Sequence, residues 1–316
     1  MGPVSDLITP AALARDLEIL AGPGGTGASG VSRPVVLDVR WRLTGPPGRP
    51  DHAARRIPGA VFVDLGTELA AAVASGGGPG GRHPLPDPAS LQEVLRRAGV
   101  REDSTVVAYD DADGSVAARA WWLLRWSGHP AGRVKVLDGG FAAWTAEGRP
   151  LAGDDVPDAD RAPEPVPDPG DVVVRPGAMP VLDADGAAAL ARRGALLDAR
   201  AGARYRGETE PVDPRAGHVP GALSVPFAGN TGPDGRWLPA DELAARFRAA
   251  GVTDPTAVGA YCGSGVTASS LVLALEHAGV TSPESPAALY PGSWSEWSAD
   301  PARPAATGPE PEGAAS

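Results

Sequence analysis

The sequence predicts two tandem α/β domains, each a three-layer α/β/α arrangement around a mainly parallel central sheet, and three observations carry that prediction. The first is length: 316 residues correspond to about two domains at roughly 150 residues each. The second is self-similarity. Val35-Val36-Leu37-Asp38-Val39-Arg40 returns as Ala195-Leu196-Leu197-Asp198-Ala199-Arg200, and Ile57-Pro58-Gly59-Ala60 returns as Val219-Pro220-Gly221-Ala222. Ala98-Gly99-Val100 returns as Ala250-Gly251-Val252, Tyr109 as Tyr261, and the Trp144 segment as that of Trp297, always in the same order. The third is alternation. Short apolar, β-branched runs are separated by longer helical patterns, which implies crossover connections and a sheet covered on both faces.

Taken in order, Val35 to Val39 and Val106 to Tyr109 are strand-like, whereas Ser90 to Ala98 and Val116 to Trp126 carry helical spacing. In the second copy Ala257 to Tyr261 is the matching strand and Ser269 to His277 the helix that follows it. The first domain is expected over residues 1–152 and the second over 176–304. Residues 153–175, dense in Pro, Asp and Glu, are expected to form a linker unable to bury apolar surface, and 305–316 a disordered tail. The 42 glycines and 35 prolines place many residues in loops.

Composition narrows the partners. Hydrophobic residues at 42% and charged ones at 21% fit a chain with a real core. A net charge of −11 disfavours nucleic acid and anionic membrane surfaces. Lys135 is the sole lysine, so an anion site is expected to use arginine. Cys262 is the sole cysteine, which excludes an intrachain disulfide. No signal-peptide pattern and no apolar run of membrane-spanning length is present, and a cytoplasmic location is expected. The five histidines show no metal-ligand spacing, so neither a metal nor a cofactor is expected. Gly25-Thr26-Gly27-Ala28-Ser29-Gly30 spells a dinucleotide fingerprint but precedes a strand, the reverse of the order phosphate binding needs.

In a parallel sheet, ligands sit beyond the carboxyl ends of the strands. There the second copy carries Cys262-Gly263-Ser264-Gly265-Val266-Thr267-Ala268. Amides of a Gly-rich turn and of a first helical turn stabilise negative charge and favour a thiolate. The hydroxyls of Ser264 and Thr267 are expected to add two donors. The loop is not a phosphatase cradle, which needs Arg where Ala268 stands.

The duplication, the Asp-x-Arg after the first strand, the Pro-Gly-Ala turn, the Cys262 to Ala268 loop and Gly292-Ser293-Trp294-Ser295-Glu296-Trp297 together resemble tandem rhodanese-type sulfurtransferases over about residues 7 to 303. The resemblance implies two rhodanese-like domains, the first without a nucleophile, since Asp110 stands where Cys262 stands in the second. It implies a persulfide on Cys262, with Ser264 assisting proton transfer, and a thiol such as reduced thioredoxin, or cyanide, as acceptor. Cys-Gly-Ser-Gly-Val-Thr is similar to 3-mercaptopyruvate sulfurtransferases rather than to thiosulfate-using rhodaneses, whose loop has two cations at the places of Gly263 and Ser264. The resemblance further points to Arg204 and Arg215, with loop residues Gly263, Gly265, Val266 and Thr267, as the donor-binding set. Arg200 is expected to pair with a carboxylate, His218 to fix its turn, and Trp294 and Trp297 to wall the pocket or pack the core. The Gly-rich run Ser75 to Gly81 reads as a flexible loop, and whether His83 beside it or Asp64 reaches the site stays open. Thiosulfate as donor, and a sulfur carrier without turnover, remain the alternatives.

Overall fold

The computed structural model of the chain describes residues 6–19, 33–73, 80–157 and 167–312; the dinucleotide-like segment 25–30 lies outside them. The chain divides into two compact units. The first comprises Met1–Leu69, Pro86–Ala178 and Pro233–Trp237, and the second Ala70–Leu85, Met179–Gly232 and Leu238–Ser316. The uninterrupted spans expected from the sequence are therefore each broken by a segment that packs with the other copy.

The first unit runs β1 (Leu7–Ile8), α1 (Pro10–Ile19), β2 (Val35–Asp38), α2 (Gly48–Ala54), β3 (Val61–Phe62), α3 (Leu65–Glu68), α4 (Pro88–Arg97), β4 (Val106–Tyr109), α5 (Ala117–Trp126), β5 (Val134–Leu137) and α6 (Gly140–Ala146). Its sheet order is β1-β5-β4-β2-β3, and every pairing is parallel. All residues of β4 and α5 are buried, Arg119 and Arg125 among them, as expected of a central strand and a largely apolar helix. Asp87 caps α4 through the amide of Ser90, with Pro88 in the first turn, and Asp64 caps α3 through the amide of Thr67.

The second unit repeats this plan with α7 (Ala184–Arg193), β6 (Ala195–Asp198), α8 (Gly202–Tyr205), β7 (Leu223–Ser224), α9 (Ala240–Ala249), β8 (Val258–Tyr261), α10 (Ala268–His277), β9 (Ala288–Leu289) and α11 (Ser293–Trp297). Its order is β7-β6-β8-β9, again parallel throughout. The place of β1 is taken by a single parallel bridge, Val181 to Leu289.

Two composition-based expectations are corrected. Part of the linker is ordered: the Gly170 amide donates to Arg96 O at 2.8 Å, Val172 N to Val100 O at 3.2 Å, and Val172 is buried. The tail is ordered as far as residue 312. Ala306 exchanges two backbone hydrogen bonds with His218, and Pro311 O accepts from Gly221 N and faces His218 Nε2 at 3.0 Å. Backbone hydrogen bonding, to which a proline still contributes its carbonyl, supplies here the order that apolar content could not.

In the first unit the loop after β4 holds a carboxylate. Asp110 is fully buried and accepts from the amides of Ala112, Gly114, Val116 and Ala117 at 2.9–3.0 Å. Burial outweighs those four donors and pushes its carboxyl up to about 6. The folded chain then keeps a proton that the unfolded chain releases near pH 4, so this group's contribution to stability falls as pH rises from about 4 through about 6. Urea unfolding of wild type and Asp110→Asn across that window checks this. The wild-type stability relative to the variant is expected to drop by up to ~3 kcal/mol between pH 4 and 7, whereas parallel curves contradict it.

Candidate active site

The site is assembled at the carboxyl end of β8. Tyr261, the last strand residue, is buried, and its hydroxyl accepts from Val219 N at 3.1 Å. Burial pushes that phenol well above its ordinary range, with the Asp198 carboxylate adding to the effect. Asp198 ends the neighbouring strand β6 and holds Arg200, whose Nη2 donates to Asp198 Oδ2 at 2.6 Å and to Gly217 O at 2.7 Å. Burial alone would lower the basicity of Arg200, but Asp198 and Tyr261 together raise it. The guanidinium lies over Trp294, 4.6 Å from the ring centroid. This frame fixes where β8 stops and the loop begins.

Cys262 follows at 2% exposure. Its Sγ accepts from the amides of Gly265 at 3.1 Å and Ser264 at 3.5 Å. Gly265 reaches that position with φ of +78°, and a Cβ there would stand 2.4 Å from Pro291 O, so a side chain is excluded twice over. The first turn of α11 grips the loop from its other side: Cys262 N donates to Ser293 Oγ, Trp294 N to Cys262 O and Ser295 N to Gly263 O. Ser293 is the one described non-glycine residue at positive φ, +54°. Its hydroxyl donates to Tyr290 O while accepting from Cys262 N, which offsets a backbone strain of order 1–3 kcal/mol.

Above the loop stand two arginines. Arg204, on α8, donates through Nε and Nη2 to Glu210 at 3.2 and 2.6 Å and through Nη2 to Asp213 at 2.9 Å. Arg82 donates through Nη1 to the other oxygen of Asp213. Its amide donates to Ser295 Oγ and that of Gly80 to Glu296, so this end of the Gly-rich run is tethered rather than loose; residues 74–79 lie outside the described residues. A Cβ at Gly263 would meet Arg82 Nη2 at 3.0 Å and Arg204 Nη1 at 3.4 Å. Neither of those amino groups has a hydrogen-bond partner among the described residues. Two spare cationic donors therefore converge on the cysteine loop.

Of the residues singled out in the sequence, Cys262, Gly263, Gly265 and Arg204 meet here. Arg215 does not. Its Nε, Nη1 and Nη2 donate to the carbonyls of Ser298, Arg303, Trp297 and Asp300, closing the end of α11, so four of its five N–H groups are spent on backbone. Among the described residues the Ser264 and Gly265 amides donate to Sγ, and the hydroxyls of Ser264 and Thr267 do not. Val266 is buried, and its carbonyl, like that of Thr267, closes the first turn of α10. Trp294 and Trp297 belong to the core cluster. His218 is pinned between Tyr205 O and Pro311 O and stacks on the Tyr205 ring.

Sequence reasoning missed Arg82, Glu210, Asp213 and Ser293. The repeat could have exposed Ser293, because Gly140 occupies its place in the first copy, at φ +56°. Arg82 left no local signal, since it lies 180 residues before Cys262.

Residues 28–147 and 183–300 each match the family model described as rhodanese-like domain. The chain is 49% identical over 278 residues to a probable 3-mercaptopyruvate sulfurtransferase of Pseudomonas aeruginosa, covering 87% of this chain and 92% of that one. It is 42% identical over 278 residues to a putative thiosulfate sulfurtransferase, SseB, of Mycobacterium tuberculosis, covering 86% and 90%. Its fold is similar to the crystal structure of the 3-mercaptopyruvate sulfotransferase SseA from Escherichia coli, with a TM-score of 0.70, 27% identity and coverage of 92% and 99%.

The two loop glycines are expected to respond differently to alanine. Gly265→Ala meets backbone at positive φ and should lose about 2–3 kcal/mol of stability. Gly263→Ala meets only the tips of two long side chains and should stay within about 0.5 kcal/mol of wild type. Chemical denaturation of both variants measures this, and equal losses would contradict the geometry.

Proposed function

From the premise that the chain belongs to the rhodanese-like family and is a sulfurtransferase built from two such domains, we propose that it takes sulfur from 3-mercaptopyruvate, holds it as a persulfide on Cys262 and passes it to a thiol or cyanide. One observation carries this reading: a cysteine sulfur facing two loop amides beneath two guanidinium groups with spare donors. Amides so placed stabilise negative charge on sulfur, and guanidinium donors suit a carboxylate.

The Cys262 thiolate attacks the donor sulfur. The carbon–sulfur bond breaks, its electron pair passing to carbon as the enolate of pyruvate, and the proton lost from the donor thiol ends on that carbon. The products are pyruvate and Cys262 persulfide, and covalent storage divides one transfer into two steps. Cyanide then takes the outer sulfur as thiocyanate and restores the thiolate. A dithiol such as reduced thioredoxin does the same, leaving as its disulfide with release of hydrogen sulfide. With Cys262 the only cysteine, no internal thiol competes for the persulfide. In the first domain Asp110 replaces the nucleophile and carries no sulfur. A cytoplasmic setting suits this cycle, because thiol acceptors are kept reduced there. Thiosulfate is the second reading for the donor, favoured by the name of the mycobacterial relative; a carrier without turnover is separated by steady-state pyruvate release.

Initial rates with 3-mercaptopyruvate and cyanide varied together are expected to give the parallel double-reciprocal lines of a two-step transfer, and Cys262→Ser to release no pyruvate. Intersecting lines, or a serine variant that turns over, would overturn the covalent step. Arg204→Gln removes one charged donor, which corresponds to about a 10- to 100-fold rise in KM with a much smaller change in kcat. An unchanged KM would remove Arg204 from the donor site.

A further inference from the structure

The charges around the Cys262 loop nearly cancel. Arg82, Arg200 and Arg204 face Asp198, Glu210 and Asp213, three cations against three carboxylates, all linked by ion pairs. Asp198 and Glu210 serve Arg200 and Arg204. Asp213 stands apart: its side chain is 1% exposed, and it alone bridges both arginines whose spare amino groups face Gly263. Burial raises its carboxyl above the ordinary value, with the Arg82 guanidinium pulling the other way. Arg82 in turn lies close against the bare α-carbon of Gly263, its Nη2 3.0 Å from where a Cβ would be.

We propose that Asp213 selects the donor by charge, and that Arg82, which it anchors, supplies the second guanidinium of the donor site in the place the sequence assigned to Arg215. The inference rests on the sulfurtransferase reading above and deepens it by naming what sets the donor class. With the bridging carboxylate in place, the pair presents hydrogen-bond donors with little surplus charge. That matches a donor with one negative charge, such as an α-keto carboxylate, and gives a dianion such as thiosulfate no compensating cation for its second charge. Asp213 acts through the two arginines and is a positioning residue; Arg82 and Arg204 are the groups that touch the donor.

The test is the ratio of kcat/KM for thiosulfate to that for 3-mercaptopyruvate, with cyanide as acceptor, in wild type, Asp213→Asn and Arg82→Gln. Removing the carboxylate leaves one surplus cation and should raise the ratio about tenfold or more; removing the cation should lower it by a similar factor. A structural role alone would depress both donors together and leave the ratio where it was. Shifts of opposite sign in the two variants support the proposal, and a ratio within about twofold of wild type in either overturns it. Should Asp213→Asn fail to fold, Arg82→Gln decides alone, by the same criterion. Protection of Cys262 from iodoacetamide by pyruvate or by sulfate gives the same charge comparison without turnover. A wild type that turns over neither donor, yet shows the opposed shifts in protection, would end the proposed reaction while leaving the charge selection standing.

Discussion

Two backbone amides pointing at one sulfur atom are the constraint on which the site depends. The Gly265 and Ser264 N–H groups reach Cys262 Sγ only because Gly265 takes a left-handed conformation against Pro291 O and the first turn of α11 ties down the loop from the far side. Each of these contacts follows from where β8 ends, and β8 ends where Asp198, Arg200 and Tyr261 hold it. A surface loop with the same sequence but without that frame would present a cysteine, not a sulfur held in a fixed cradle of amides.

The first unit makes the same point with different chemistry. After β4 the corresponding loop encloses a carboxylate in four backbone hydrogen bonds, and the frame behind it is again Asp-x-Arg with a strand-terminal tyrosine, Asp38, Arg40 and Tyr109. One architecture thus aims backbone amides at a buried side chain just beyond the carboxyl end of the central strand in both units, a carboxylate in the first and a thiol sulfur in the second.

Much of the architecture was legible because it rests on periodicity and repetition. The strands Val35–Asp38 and Val106–Tyr109 are mostly apolar and buried on both faces, and α5 and α10 are mostly apolar and almost wholly buried, so their patterns could not be satisfied elsewhere. That Cys262 and Arg204 come together at one loop was legible because each is embedded in a local motif. Arg215 lies apart from that loop: a motif position says which side chain is present but not where its donors go, and here four carbonyls of residues 297–303 take four of its five N–H groups. Arg82 and Asp213 were hidden for the opposite reason. Their partnership spans 131 residues and depends on the segment Ala70–Leu85 belonging to the second unit. The order of the 305–312 tail was equally invisible, because it comes from backbone pairing with His218 and Gly221 rather than from composition.

The most direct test of the central claim is the mass of the intact protein after exposure to 3-mercaptopyruvate without an acceptor, followed by peptide mapping. One added sulfur on the peptide containing Cys262, removed again by cyanide, is the predicted result. Pyruvate released in the same sample while Cys262 stays unmodified would contradict it.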